Sequence, residues 1–320
     1  MNISEELQGI LGKRLKESEF MSRHTNFRIG GAAKWFCEVR SIEEIKQVLA
    51  VAHKNDLKHF VFGGGSNTLV SDKGFDGIVI KIAMRAYEIH GTTVRAEAGV
   101  LSAALARATA NNGLAGLTWM ISLPGTIGGA VRGNAGCFGG EVKDLLTKAE
   151  VLRDGEVVEM TPDQLAFAYR ESSVKHSDDI VLAATFELSE GDAAELKSEL
   201  DDNLMRRKAS QPLDAGSAGC LFKNYEIQSD EELQRLSEKL DIPSVMQHNR
   251  RISAGWLIDK LDLKGTQIGG AKISDVHGNF VVNTGEATAD HIAQLVAVVK
   301  TKARDQLGIT LQDEVQYVGF

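Results

Sequence analysis

Apolar positions recur along this chain at several periods, and each period predicts an element. Residues 41–54 follow a helical period opened by Ser41, with Glu44 three positions later to complete a capping box. Residues 59–62 (HFVF) and 77–82 (GIVIKI) read as strands. Residues 87–90 and 93–98 form a predicted hairpin around Gly91. Residues 102–112 (SAALARATANN) read as a small-residue helix ended near Gly113. A second hairpin joins 149–152 to 157–160 through Asp154-Gly155. The nearly continuous apolar run 180–188 predicts a buried strand. A charged helix spans 193–208, and residues 225–252 are polar and irregular apart from a helix-like piece around 231–240. Ser253 can cap a helix through Leu261. The clearest amphipathic helix covers 288–307, with Ile292, Leu295, Val296 and Val299 on one face and Gly308 as its stop. A last strand is predicted over 314–318. The mixture is α+β, with mixed sheets rather than one doubly wound sheet.

Two glycine clusters interrupt this pattern. Gly63, Gly64, Gly65, Ser66 and Asn67 stand between two strand-like runs. Glycine lets the backbone approach a ligand and take positive φ, so several N–H groups can converge on one anion. A flexible surface turn would use the same residue types. The second cluster runs from 121 to 140 (ISLPGTIGGAVRGNAGCFGG). Pro124-Gly125 signals a turn, Gly128, Gly129 and Ala130 permit close approach, and Asn134, Gly136, Gly139 and Gly140 continue the run. Neither cluster is a P-loop or a spaced Gly-x-Gly-x-x-Gly dinucleotide fingerprint. Two such clusters suggest one long ligand held from two sides, and a pyrophosphate-containing cofactor suits that description.

Composition narrows the class. The chain has 320 residues, 43% of them hydrophobic, which allows two or three domains of ordinary globular type. A net charge of −8 argues against non-specific nucleic-acid binding. Cys37, Cys137 and Cys220 have no metal-ligand spacing, and an odd cysteine count predicts a reducing cytoplasm. No stretch is apolar enough for a signal region or a membrane span. His277 has no partner at metal-ligand spacing, so no metal is expected.

Several residues invite chemistry and also admit ordinary readings. Arg170, in FAYRESSVK, could hold a carboxylate or developing negative charge, although an arginine beside an apolar strand is usually a structural ion pair. Cys220 lies among small residues in GSAGCLFKN, where a lone cysteine is commonly a small buried hydrophobe. Glu314 near a strand start is commonly a solvated edge residue.

Taken in order, HTNFRIGGAAKW, VFGGGSNTLV, GLTWMISLPGTIGGAVRGNAGCFGGEV, FAYRESSVK, SAGCLFKN, AGWLIDKLDLKGTQIGGAKIS, GNFVVNTGEAT and EVQYVG make a joint pattern. The chain resembles the UDP-N-acetylenolpyruvoylglucosamine reductase family of bacterial peptidoglycan precursor synthesis over nearly its whole length. The short segment between Arg170 and Cys220 resembles the branch that lacks an extra loop over the substrate. The resemblance implies an FAD-binding domain of the vanillyl-alcohol-oxidase type, in two subdomains over 1–82 and 83–200. It also implies a substrate-binding α+β domain over 201–310 and a C-terminal strand over 311–320 that carries a catalytic glutamate.

The same resemblance assigns residues 63–67, with Pro124, Gly125, Thr126, Gly128, Gly129 and Ala130, to an FAD cradle. GGGSN contains no flavin-linking His, so FAD is expected to be non-covalent, with NADPH as co-substrate. Arg170 and Glu314 match residues proposed to stabilise an enolic intermediate. For Glu314 that role implies a protonated or hydrogen-bonded carboxyl, because a bare carboxylate would repel the charge. Cys220 stands where the family commonly has a proton-donating serine, and a thiol, with an ordinary pKa of about 8.5, gives up its proton more easily. Tyr169, Lys208, Lys223 and Asn224 are expected at the UDP-sugar substrate, and residues 225–252 receive no role. A monomer without nucleic-acid or membrane partners is expected. A carbohydrate oxidase of the same fold and a non-catalytic flavin-binding module are the competing readings.

Overall fold

The helix Ile42–Lys54 begins because Ser41 Oγ accepts the Glu44 N–H. Glu44 does not return the bond to Ser41. Its carboxylate instead accepts from the Arg40 N–H at 2.7 Å and, through both oxygens, from Arg14 at 2.6 Å. The predicted capping box is therefore half formed, because the Arg14 fork and the Arg40 N–H take the carboxylate. The computed structural model describes residues 2–320. Its chain falls into two units with separate cores. The first comprises Met1–Glu19, Ala33–Gly65 and Phe75–Ala209, and the second Phe20–Ala32, Ser66–Gly74 and Ser210–Phe320.

Among the described residues, the first unit holds two larger sheets beside two two-stranded ones. One orders its strands Leu15–Phe20, Ala32–Val39, Phe75–Ile82 and His59–Phe62, and the last three run parallel. The other orders Glu156–Met160, Leu146–Arg153, Ile180–Glu187, Thr93–Glu97 and Tyr87–His90, each antiparallel to its neighbour. Ile180–Glu187 lies at the centre of that sheet and is buried from Ile180 through Phe186, as its unbroken apolar run requires. Asp154 (φ 49°) and Gly155 (φ 81°) make the left-handed two-residue turn that the right-handed twist of a hairpin favours. The helix Ala289–Leu307, in the second unit, ends at Gly308 with φ 67°.

Also in the second unit, Gln267–Ile268, Ala271–Ile273 and Val281–Asn283 form a three-stranded antiparallel sheet. Thr68–Val70 pairs in parallel with Gln316–Val318. That last strand starts two residues after Glu314. The polar stretch 225–252 is more ordered than its composition suggests. Tyr225–Glu226 pairs with Arg251–Ile252 and brackets the helices Asp230–Ser237 and Ser244–His248. Among the described residues, no helix is long and apolar enough to cross a membrane, and no group of three His, Cys, Asp or Glu could hold a metal ion.

A bidentate pair straddles the central strand of the larger sheet. Arg95 Nε and Nη2 donate to the two Glu150 oxygens at 2.6 and 2.7 Å. The Arg95 hydrogen bond holds the Glu150 carboxyl below its ordinary pKa, against the opposing effect of burial. A depressed carboxyl contributes stability above its unfolded pKa of about 4.3, lost as pH falls through the folded value. Glu150→Gln is therefore expected to lower unfolding free energy by on the order of 1 kcal/mol at pH 7. In urea titrations that gap should close towards pH 3. A gap that stays constant with pH would show that the pair contributes through packing.

Candidate active site

Bare backbone meets bare backbone where the two glycine clusters approach in the first unit. A Cβ on Gly63 would lie 2.7 Å from Thr126 Oγ1, and one on Gly64 would lie 2.8 Å from Gly125 Cα. Neither position accepts a side chain while the loops stay in contact. Gly128 is held similarly, with a would-be Cβ 2.8 Å from Ala98 Cβ, and its N–H donates to Ala98 O at 2.9 Å. Gly65 takes φ 67°. Pro124 and Gly129 are exposed, whereas Gly63, Gly64 and Gly125 are half-buried, so this joined backbone surface reaches solvent. Ser102 donates its N–H to Gly125 O at 3.2 Å, and its buried hydroxyl has no protein partner.

Arg170 sits in a tight turn of the first unit. Ala168 and Glu171 exchange backbone hydrogen bonds of 3.1 Å in both directions, and Arg170 between them takes φ 58°. A left-handed non-glycine residue costs about 1–2 kcal/mol and persists only where its surroundings hold it. Here Lys175 Nζ donates to Arg170 O at 2.9 Å, and the guanidinium donates to Gly136 O at 2.7 Å while lying 5.1 Å from the Tyr169 ring centroid. Nearby, burial pulls the Arg132 guanidinium below its ordinary pKa, an effect partly offset by Glu171. Burial pushes the Cys137 thiol up, and that thiol donates to Trp119 O at 3.4 Å. Lys208 is exposed near the end of the helix Ala193–Ser210.

In the second unit, backbone pairing brings Cys220 and Glu314 to the same place. Cys220 bridges Phe280, and Phe222 bridges Asp313. The Glu314 N–H donates to Leu221 O at 2.7 Å, and Lys223 N–H donates to Gln312 O at 2.9 Å. Asn67 adds a third tie, since its side-chain amide donates to Glu314 O at 3.0 Å and its own carbonyl accepts from Gln316 at 3.0 Å. That side-chain donor, expected at a cofactor, is thus used to hold the backbone of Glu314. Asn224 Oδ1 accepts from the Ala254 N–H at 3.1 Å, at the start of the helix Ala254–Lys260.

Two asparagines that organise these segments have no assigned role in the sequence reading. Asn134, fully buried, donates its amide to Ala168 O at 2.9 Å. Asn279, 2% exposed, both accepts from the Phe222 N–H at 3.0 Å and donates to Phe222 O at 2.8 Å. The available signal was a polar residue set among glycines in RGNAG and among apolar residues in GNFVV.

Residues 211–318 match the family described as UDP-N-acetylenolpyruvoylglucosamine reductase, C-terminal domain, and residues 33–161 match the FAD binding domain family. The UDP-N-acetylenolpyruvoylglucosamine reductase of Syntrophomonas wolfei is 36% identical over 310 residues, covering 96% of each chain. That of Clostridioides difficile is 35% identical over 317 residues, covering 98% of this chain and 96% of its own. The crystal structure of the Thermus caldophilus reductase superposes with a TM-score of 0.75 at 32% identity, over 95% of this chain and 99% of that one.

Asn279→Ala would leave a buried N–H and a buried C=O of Phe222 without their partner. At about 1–3 kcal/mol for each buried unsatisfied group, the expected loss is roughly 2–6 kcal/mol. Guanidinium denaturation would measure it. Asn279→Asp keeps the acceptor but sets a buried carboxylate against Phe222 O, so at pH 7 it should lose at least as much as Asn279→Ala. A loss under about 0.5 kcal/mol, the range of ordinary surface changes, would mean that water replaces the clamp.

Proposed function

The chain belongs to the UDP-N-acetylenolpyruvoylglucosamine reductase family, and from that membership we propose that it reduces UDP-N-acetylenolpyruvoylglucosamine to UDP-N-acetylmuramate with FAD and NADPH. The single observation that carries the reading is 36% identity extending over 96% of both chains. The residues fit the cofactor. Gly63 and Gly64 present backbone where a Cβ would separate the two glycine loops, and the partnerless Ser102 hydroxyl lies beside the same turn. We assign the hold on FAD to residues 63–67, Pro124, Gly125, Thr126, Gly128, Gly129 and Ala130. No His or Cys occurs in 63–67, and the Cys137 thiol is kept protonated by burial, which supports a non-covalent hold.

When bound, FAD supplies the relay of hydride from NADPH to the vinyl carbon of the enolpyruvyl group. The work left to the chain is to stabilise charge and deliver a proton. Negative charge develops on the neighbouring carbon and its carboxylate, and the Arg170 guanidinium is suited to offset it. Its tied backbone means little reorganisation is needed during reaction. Cys220 Sγ gives its proton to that carbon, and the thiolate regains one from solvent. Glu314, bonded through its backbone to the residue after Cys220, stabilises the enolic species with a protonated or hydrogen-bonded carboxyl. We assign substrate contacts to Tyr169, Lys208, Lys223 and Asn224. A monomeric enzyme of the cytoplasm, where thiols stay reduced, completes the proposal.

The test separates the two half-reactions under anaerobic conditions. NADPH should bleach the bound flavin, and the enolpyruvyl sugar nucleotide should restore its colour. Acid precipitation should release the flavin. Cys220→Ala should block reoxidation and leave reduction largely intact, while Cys220→Ser retains substantial activity. Reoxidation of Cys220→Ala at the wild-type rate would remove the thiol from the mechanism. Arg170→Ala is expected to lose on the order of 10²–10³ in turnover with FAD content near normal. Turnover near wild type would refute its assignment.

A further inference from the structure

Resting on that reading of Arg170, we infer that Asn134 is the positioning residue of the Arg170 guanidinium. Asn134 is fully buried and takes φ 39°, a left-handed conformation that asparagine adopts more readily than most side chains. Every polar atom of its carboxamide is engaged. Nδ2 donates to Ala168 O at 2.9 Å and to Glu141 Oε2 at 3.2 Å, and Oδ1 accepts from the Lys143 N–H at 3.1 Å. Ala168 opens the turn in which Arg170 is left-handed. Two residues after Asn134, Gly136 O accepts the far end of the same arginine at 2.7 Å.

One short segment therefore holds Arg170 at both ends. The Asn134 amide fixes the backbone of its turn, and the Gly136 carbonyl fixes its guanidinium. Neither tie alone sets the side chain, because a long arginine pivots about whichever end is held. Other contacts steady the surroundings: Ser172 Oγ donates to Arg132 O at 2.7 Å, and Lys175 Nζ to Arg170 O at 2.9 Å. Asn134 joins the turn to the strand-like segment that receives the guanidinium. The site demands a carboxamide. It must donate to a carbonyl and a carboxylate while accepting from an amide, and Asp supplies no such donor and sets a second carboxylate against Glu141.

Asn134→Asp preserves size and tolerates the left-handed backbone, and Asn134→Gly preserves the backbone while removing the amide. In the holoenzyme both should slow anaerobic reoxidation of reduced flavin by the enolpyruvyl sugar nucleotide by about 10–100-fold, the scale expected when a catalytic group is misplaced by about 1 Å. Flavin reduction by NADPH and the substrate Kd, read from the flavin absorbance of oxidised enzyme, should stay within about 3-fold, since neither uses the developing charge. In an Arg170→Ala background, Asn134→Asp should slow reoxidation no further, because residues acting as one unit are non-additive. Equal slowing in both backgrounds, unchanged reoxidation, or loss of flavin from both variants would overturn the inference. A wild-type enzyme whose reduced flavin is not reoxidised by this substrate would refute the proposed function itself, and that control is read before any variant.

Discussion

A backbone N–H or C=O that leaves water must find a partner, and this constraint governs the segments that carry Arg170, Cys220 and Glu314, the side chains proposed to act in the reaction. Isolated backbone bridges pair those segments only in part. Side-chain amides complete the pairing. Asn279 stands in for a missing strand neighbour at Phe222, two residues after Cys220. Asn67 holds the carbonyl of Glu314, and Asn134 holds the turn of Arg170. A carboxamide carries both donor and acceptor without charge, so it can satisfy buried backbone where a carboxylate would bring an uncompensated charge.

The glycines answer a related constraint on distance. The positions at 63, 64 and 128 are set by contacts between parts of the protein, because an added Cβ would meet Thr126, Gly125 or Ala98. Their effect is to join two remote stretches of sequence into one backbone surface. Keeping that contact and the proposed hold on a diphosphate place the same demand on residue type. Gly129 differs: its would-be Cβ meets only Thr126 Oγ1, at 3.9 Å, and it is exposed.

Burial also divides the cysteines. Cys37 is fully buried and its pKa is pushed up to about 12, while the Cys137 thiol is raised by the same cause. A protonated buried thiol is a poor nucleophile and resists oxidation. Cys220 is only partly buried, on a segment fixed by backbone bonds on both sides. Cys137 is partly buried as well, so burial alone sets only Cys37 apart.

The sequence by itself determined the local elements and the family. Helix 42–54, the Asp154-Gly155 hairpin, the buried strand from 180 and the Gly308 stop were legible because each depends on a local period, cap or turn residue. The glycine clusters, Arg170, Cys220 and Glu314 were singled out by their resemblance to a known pattern. Tertiary structure decided what depends on partners remote in the chain. Glu44 turns from its cap towards Arg14, and residues 225–252 gain order where Tyr225 meets Ile252 and where Leu236 and Ile242 enter the core. Residues 20–32 and 66–74 join the C-terminal core, an arrangement that no contiguous division of the chain expresses. The supporting work of Asn134 and Asn279 was illegible for the same reason. A lone asparagine carries no period, and its role is set by which distant carbonyl the fold places 2.8–2.9 Å from its amide.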